Sequence, residues 1–270
     1  MSDSYYELVE TAEDGERFAP TDLVRSTWSA SIQHAAPVSA LLVRALERCA
    51  PRADMRLTRV VIDLLGGVPA DGDLWVTSRV ERPGRQIELV GSEMLGPGRD
   101  GTLRPVARAT GWRMQTMDTG VLLHAPAEPL PPRSQARAHD MARNWDRNYV
   151  HSLDWRWLTS PINDGPGESW LMPTVDLAAG EQMTPLQRLF AVADCANGLG
   201  SRIDTRQWTF LNTDLVVHIH RIPDGPWTGI RAETSYGPDG IGTTSGTLFD
   251  EAGAVGTIAQ SVLVRPRPDR

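Results

Sequence analysis

The amino-acid sequence predicts an α+β chain made of two like modules, each a long helix wrapped by an antiparallel sheet. Three observations predict it. Only two long stretches carry apolar residues at helical spacing. Each is followed by four strand-like runs separated by Gly- and Pro-containing turns. The two blocks also align with each other at a period of about 150 residues. A sheet of that size with a single helix must curve around the helix to bury the helix's apolar face.

In the first module a strand is expected over residues 18–28. A helix follows over 36–50, where Val38, Leu41, Leu42, Ala45 and Leu46 repeat at helical spacing and Pro51 lies just past the end. Strands are then expected at 56–65, 74–80, 86–95 and 106–117, joined by turns at 67–72, 82–84 and 96–101. Residues 118–147 differ in kind. Pro126, Pro129, Pro131 and Pro132 fall close together, so this stretch reads as a linker with a short helix near 136–144.

The second module repeats the order. Strands are expected at 151–159 and 168–176. A helix covers 185–198, opened by Thr184 as N-cap with Pro185 at the first helical position and ended by Gly198 and Gly200. Four strands follow at 207–221, 227–236, 242–250 and 255–264. Residues 38–47 align with 186–195, and 60–65 align with 211–216, which sets Asp63 opposite Asp214 in the repeat. The division is therefore 1–117, a linker at 118–147, and 148–270.

Composition narrows the function. The chain has 270 residues, is 40% hydrophobic and 23% charged, and so has a soluble globular profile. Its net charge of −7 argues against a general electrostatic grip on nucleic acid. No apolar run approaches the roughly 20 residues that span a bilayer. Residues 1–17 are acidic and polar, without the pattern of an export signal, which predicts a cytoplasmic protein. Cys49 and Cys195 read as buried thiols in a reducing compartment. No Cys/His spacing suits zinc, and no metal or redox cofactor is implied.

Two polar residues stand out within apolar strands, Asp214 and Gln260. A carboxylate in a half-buried sheet is costly unless it is hydrogen-bonded or catalytic. Together they suggest a site that holds a water. Structural roles stand beside this reading. Asp214 can cap a turn or pair with His220 or Arg221, Gln260 can be a satisfied strand amide, and His34 can serve only as a helix-entry hydrogen-bonding residue. His218 and His220 share the strand face of Asp214. The tryptophans, Trp155 and Trp157 among them, read as packing.

With these residues in place, the chain resembles the acyl-CoA thioesterase II-like family, in its actinobacterial form. The match is carried by Gln33-His34-Ala35-Ala36-Pro37, Arg82-Pro83-Gly84-Arg85, Pro185-Leu186-Gln187-Arg188-Leu189, Ala193-Asp194 with Asn197-Gly198, Phe210-Leu211-Asn212-Thr213-Asp214-Leu215, His220-Arg221, Gln260, and Val264-Arg265. The resemblance implies a double hotdog architecture and hydrolysis of acyl-CoA to free acid and CoA. It implies a water held by Asp214, Gln260 and a hydroxyl, Thr234 or Ser235, with Thr234 preferred. Asp194 is the rival base, because single-domain hotdog thioesterases use an acid on the helix. The turn His34–Ala35–Ala36 would bind substrate and supply backbone donors for the oxyanion.

The family usually carries His-Gly-Gly at that turn, and alanine in its place narrows the approach to the backbone. The last strand of the first module, residues 107–112, has no Gln, so Asp63 reads as structural and one site per chain is expected. Arg82, Arg85 and Arg221 are candidates for CoA phosphates, and a homodimer is the expected assembly. Two other functions compete: a non-catalytic acyl-thioester-binding or degenerate hotdog protein, and an enoyl-CoA hydratase or dehydratase.

Overall fold

The computed structural model describes residues 3–138, 148–159 and 165–267. The chain opens with the hairpin β1 (Ser4–Ala12) and β2 (Gly15–Pro20). Helix α1 (Ala35–Arg48) follows, then β3 (Met55–Leu64), β4 (Leu74–Arg82), β5 (Ile87–Pro97) and β6 (Leu103–Gln115). Short β7 (Arg137–Ala138) and the helical turn α2 (Asn148–His151) lead into β8 (Leu153–Trp157), β9 (Gly167–Pro173) and β10 (Asp176–Ala178). The second long helix comes in two pieces, α3 (Pro185–Ala193) and α4 (Cys195–Gly200). The chain closes with β11 (Trp208–Asn212), β12 (Asp214–Ile219), β13 (Thr228–Tyr236), β14 (Ile241–Asp250) and β15 (Gly253–Pro266).

These elements form the expected α+β double hotdog, with differences at the edges. The expected strand at 18–28 stops at Pro20, where Thr21 caps a single helical turn, Asp22–Val24. Strand β1 escapes the sequence pattern because only its first three residues are buried. The strand expected at 207–221 is interrupted at Thr213, and the helix expected at 185–198 is broken at Asp194. Of the short helix expected near 136–144, residues 139–144 lie outside the described residues, and Arg137–Ala138 are extended.

One sheet runs through both halves in the order β10-β1-β2-β4-β5-β6-β3-β12-β15-β14-β13-β9-β8-β7, with β11 paired to β15. The halves meet where β3 and β12 pair antiparallel. There Asp63 faces Asp214 and Val60 faces Val217. Strand β1 crosses to the other half by pairing parallel with β10.

The two helices lie inside this curved sheet, and they pack antiparallel. The start of α1 meets the end of α3, where His34 Nδ1 lies 3.3 Å from Asp194 Oδ2. The end of α1 meets the start of α3. There Glu47 accepts from the Thr184 hydroxyl at 2.9 Å and from Gln187 Nε2 at 2.7 Å. Thr184 is the α3 N-cap in a reciprocal box with Gln187, so Glu47 also lies at the positive end of that helix. One turn away Arg44, 1% exposed, donates to Glu181 at 2.7 Å and to Glu16 at 2.6 Å. Removing one partner of a buried ion pair strands the others. Arg44→Ala should therefore lower unfolding stability by roughly 3–5 kcal/mol, and Arg44→Met, which keeps the packing, by distinctly less. Denaturant midpoints at constant slope would measure both.

Candidate active site

A cavity of about 290 Å³ opens where the N-terminus of α1 faces the break between α3 and α4. Its apolar wall includes Trp28, Trp155, Trp157 and Phe210, and its polar groups include His34, Asp194 and Asn212. Trp155 and Trp157 are two apart on β8, so period-two alternation puts both indoles on one face. They stack at 5.5 Å with planes 11° apart. Trp28 meets Phe210 edge to face at 4.9 Å.

Asp194 stands at the helix break. Near the break the Tyr149 hydroxyl donates to the Ala191 carbonyl at 2.7 Å. The short piece α4 then lies close on the sheet. A Cβ at Gly167 would fall 1.9 Å from the Leu199 carbonyl oxygen, and one at Gly200 would fall 3.0 Å from the Glu233 backbone. The Asp194 side chain is 5% exposed. Its Oδ1 accepts from Asn212 Nδ2 at 2.7 Å and from Gln260 Nε2 at 2.9 Å. Burial raises its pKa from 3.8 to about 6, against the lowering effect of those two amide bonds.

Beneath Asp194, three neighbouring strands place Thr234, Thr244 and Gln260 side by side in register. All three are buried. The Thr234 and Thr244 hydroxyls are 2.7 Å apart, and Thr244 reaches Asn197 Oδ1 at 3.5 Å. Gln260 Oε1 is buried without a hydrogen-bond partner among the described residues.

His34 caps α1, and its position is heavily determined. Its backbone N–H donates to the Val24 carbonyl at 2.7 Å. Its ring stacks on Tyr149 at 4.0 Å, with planes 22° apart. The preceding Gln33 is clamped between the Tyr6 hydroxyl at 2.6 Å and the Pro69 carbonyl at 2.7 Å. His34 Nδ1 accepts the Ala36 N–H at 3.2 Å.

The profile of the acyl-CoA thioesterase N-terminal domain matches residues 24–114, and that of the C-terminal domain matches residues 125–264. The chain belongs to the acyl-CoA thioesterase family. The sequence matches no curated protein. Among solved structures it is similar to a protein of unknown function with a hot dog fold from Alicyclobacillus acidocaldarius, at TM-score 0.75 and 11% identity, over 96% of each chain. It is also similar to the acyl-CoA thioesterase II TesB2 from Mycobacterium marinum, at TM-score 0.70 and 14% identity, over 97% of this chain and 96% of that one. The dehydratase domain from the CurK module of curacin polyketide synthase shares the fold at TM-score 0.55 and 11% identity, over 98% of this chain and 97% of that one. Among the described residues no helix is long and apolar enough to cross a membrane.

Within this acyl-CoA thioesterase, the sequence-derived site residues fall in two places. Gln260, Thr234, His34 and Asp194 gather at one end of the helix pair, while Asp214 stands apart. This corrects the expectation that Asp214 joins Gln260. Leu215, Val217 and Ile219 fill the core, so Asp214 takes the other face of β12. Its Oδ1 accepts the Ser261 N–H at 3.1 Å, where the partner of β15 changes from β11 to β12 and the ladder is interrupted around Thr213. The carboxylate mends the sheet. Ser235 is exposed, unlike Thr234.

Ala35 lines the cavity and Ala36 is buried behind it. Arg221 is held by Asp250 at 2.6 Å, and Arg82 lies over Trp112; neither lines the cavity, and nor does Arg85. The expectation that the tryptophans serve packing alone is corrected by Trp28, Trp155 and Trp157, which form cavity wall. Sequence reasoning missed Asn212 and Thr244 as polar members of the cluster. Asn212 lay in a quoted motif, and period-two alternation from buried Gly242 selects Thr244.

The raised pKa of Asp194 has a stability consequence. A carboxyl with a folded pKa above its unfolded value favours the fold at low pH. That contribution is lost as pH rises from about 4 through about 6. Asp194→Asn keeps an acceptor for the Asn212 and Gln260 amides and puts a donor toward His34 Nδ1. It should raise unfolding stability at pH 8 by roughly 3 kcal/mol, the equivalent of a rise from 3.8 to about 6. At pH 4 it should change stability little, as parallel melting curves would record.

Proposed function

We propose that this chain hydrolyses acyl-CoA thioesters by direct attack of a water on the thioester carbonyl, with Asp194 as general base. The observation that carries the proposal is a buried carboxylate in the cavity whose pKa lies near 6, close to the working range of a base at neutral pH. Asn212 and Gln260 occupy its Oδ1, which leaves Oδ2 to take a proton. Gln260 Oε1, buried and unpartnered, offers an acceptor for the water's second hydrogen. Thr234 and Thr244, paired through their hydroxyls, stand beside Gln260 in strand register.

The steps balance without a covalent enzyme intermediate. Asp194 removes a proton as the water oxygen bonds to the carbonyl carbon, and the carbonyl electron pair moves onto oxygen. The tetrahedral oxyanion collapses, the C–S bond breaks, and the CoA thiolate recovers the proton from Asp194. The start of α1 is the place for the oxyanion, because positive backbone dipole ends gather there. The apolar wall takes the acyl chain.

One observation favours a second reading. His34 and Asp194 meet across the two halves at 3.3 Å, and an acid–base pair of that kind also suits addition or removal of water at an enoyl thioester.

Free thiol released from acyl-CoA substrates of short, medium and long chain separates the cases. Asp194→Ala should lower turnover by about 10²-fold or more, while Asp214→Ala should keep it within a few-fold at some loss of stability. Loss of enoyl absorbance without thiol release would favour the second reading, and binding without either would mean a non-catalytic protein. For the wild type, kcat/KM should be level above pH 6 and fall about tenfold per pH unit below it, as Asp194 is protonated.

A further inference from the structure

The turn before α1 carries a complication for oxyanion binding. One backbone donor at that helix start, the Ala36 N–H, already bonds His34 Nδ1 at 3.2 Å. The Cβ atoms of Ala35 and Ala36 further limit approach to the backbone there. A bond accepted at Nδ1 fixes the ring proton on Nε2. Among the described residues that Nε2–H has no protein partner, and His34 lines the cavity beside Asp194.

We infer that the His34 Nε2–H is the side-chain donor that stabilises the thioester oxyanion, in place of the occupied backbone N–H. The inference rests on the thioesterase reading above and names the electrophilic residue of that site. Within one imidazole the two nitrogens lie about 2 Å apart, so a carbonyl oxygen roughly 3 Å from Nε2 leaves its carbon within reach of a water on Asp194 Oδ2. The donor is pre-aimed. The Tyr149 stack, the N-cap bond and the Val24 contact hold the ring before substrate arrives. Burial pushes the imidazole pKa down to about 3, so the ring stays neutral wherever Asp194 is ionised. A neutral donor polarises the carbonyl while Asp194 remains the group that exchanges protons. No proton leaves Nε2 in the cycle.

The test compares wild type, His34→Ala, His34→Asn and Asp194→Ala by thiol release, and by affinity for two unreactive CoA analogues. One keeps the carbonyl and replaces sulfur with methylene. The other keeps sulfur and reduces the carbonyl to methylene. His34→Ala should lose about 10²- to 10³-fold in kcat, far more than any change in KM, with the limb near pH 6 retained. Its affinity should fall for the carbonyl analogue and not for the thioether. His34→Asn, which keeps an N-cap acceptor and an N–H donor, should recover part of the rate, and it carries the comparison if the alanine variant does not fold.

A folded His34→Ala enzyme with wild-type kcat would overturn the inference alone. So would equal loss of affinity for both analogues, the mark of a structural role. Loss of the pH 6 limb in His34→Ala together with its survival in Asp194→Ala would make His34 the base and also overturn it. No thiol release from folded wild type would instead overturn the thioesterase reading, and this inference with it.

Discussion

The antiparallel docking of α1 on α3 is the contact on which the rest of the molecule depends. The curved sheet closes around that pair, and each end of the pair brings together residues about 140–160 positions apart in sequence. At one end stand His34 and Asp194. At the other stand Glu47 with Thr184, and Arg44 with Glu181. A repeat would make these ends equivalent, and the side chains make them opposite in character. One end is a hollow with a carboxylate in it. The other is closed by a nearly inaccessible guanidinium paired with two glutamates.

The hollow end carries an energetic burden. An ionised group with this little solvent is unfavourable, and here only the side-chain amides of Asn212 and Gln260 donate to it. Among the described residues no cation stands against the carboxylate, and its burial raises its pKa. An arginine in place of Asn212 would relieve the strain and remove the basicity with it. The helix break and the close seat of α4 fix where this unrelieved charge points.

Much of the fold was legible because burial follows period: α1 and most strands fall within a few residues of their expected limits. The candidate site was legible in part, through Gln260, Thr234, His34 and the helical acid. Asp214 was misread for a definable reason. Phe210 and Asn212 face inward, and unbroken alternation carries Asp214 inward with them. The interruption at Thr213 shifts the phase by one residue, so Leu215, Val217 and Ile219 point to the core instead. No local residue type announces that shift, because it is set by pairing with β3 and β15. The tryptophan wall was hidden likewise, since a cavity is a property of how elements meet.

The inequality of the two helix ends is a consequence of covalent linkage. A symmetric homodimer of single modules must repeat every residue about its axis, so one burdened carboxylate is always accompanied by a second. A fused chain is released from that rule. It can load the cost of an ionisable group in a dry place once, and dedicate the opposite end of the helix pair to holding the halves together. In that sense the Arg44 end and the Asp194 end are two uses of one kind of helix contact, and a single polypeptide is what permits both to coexist.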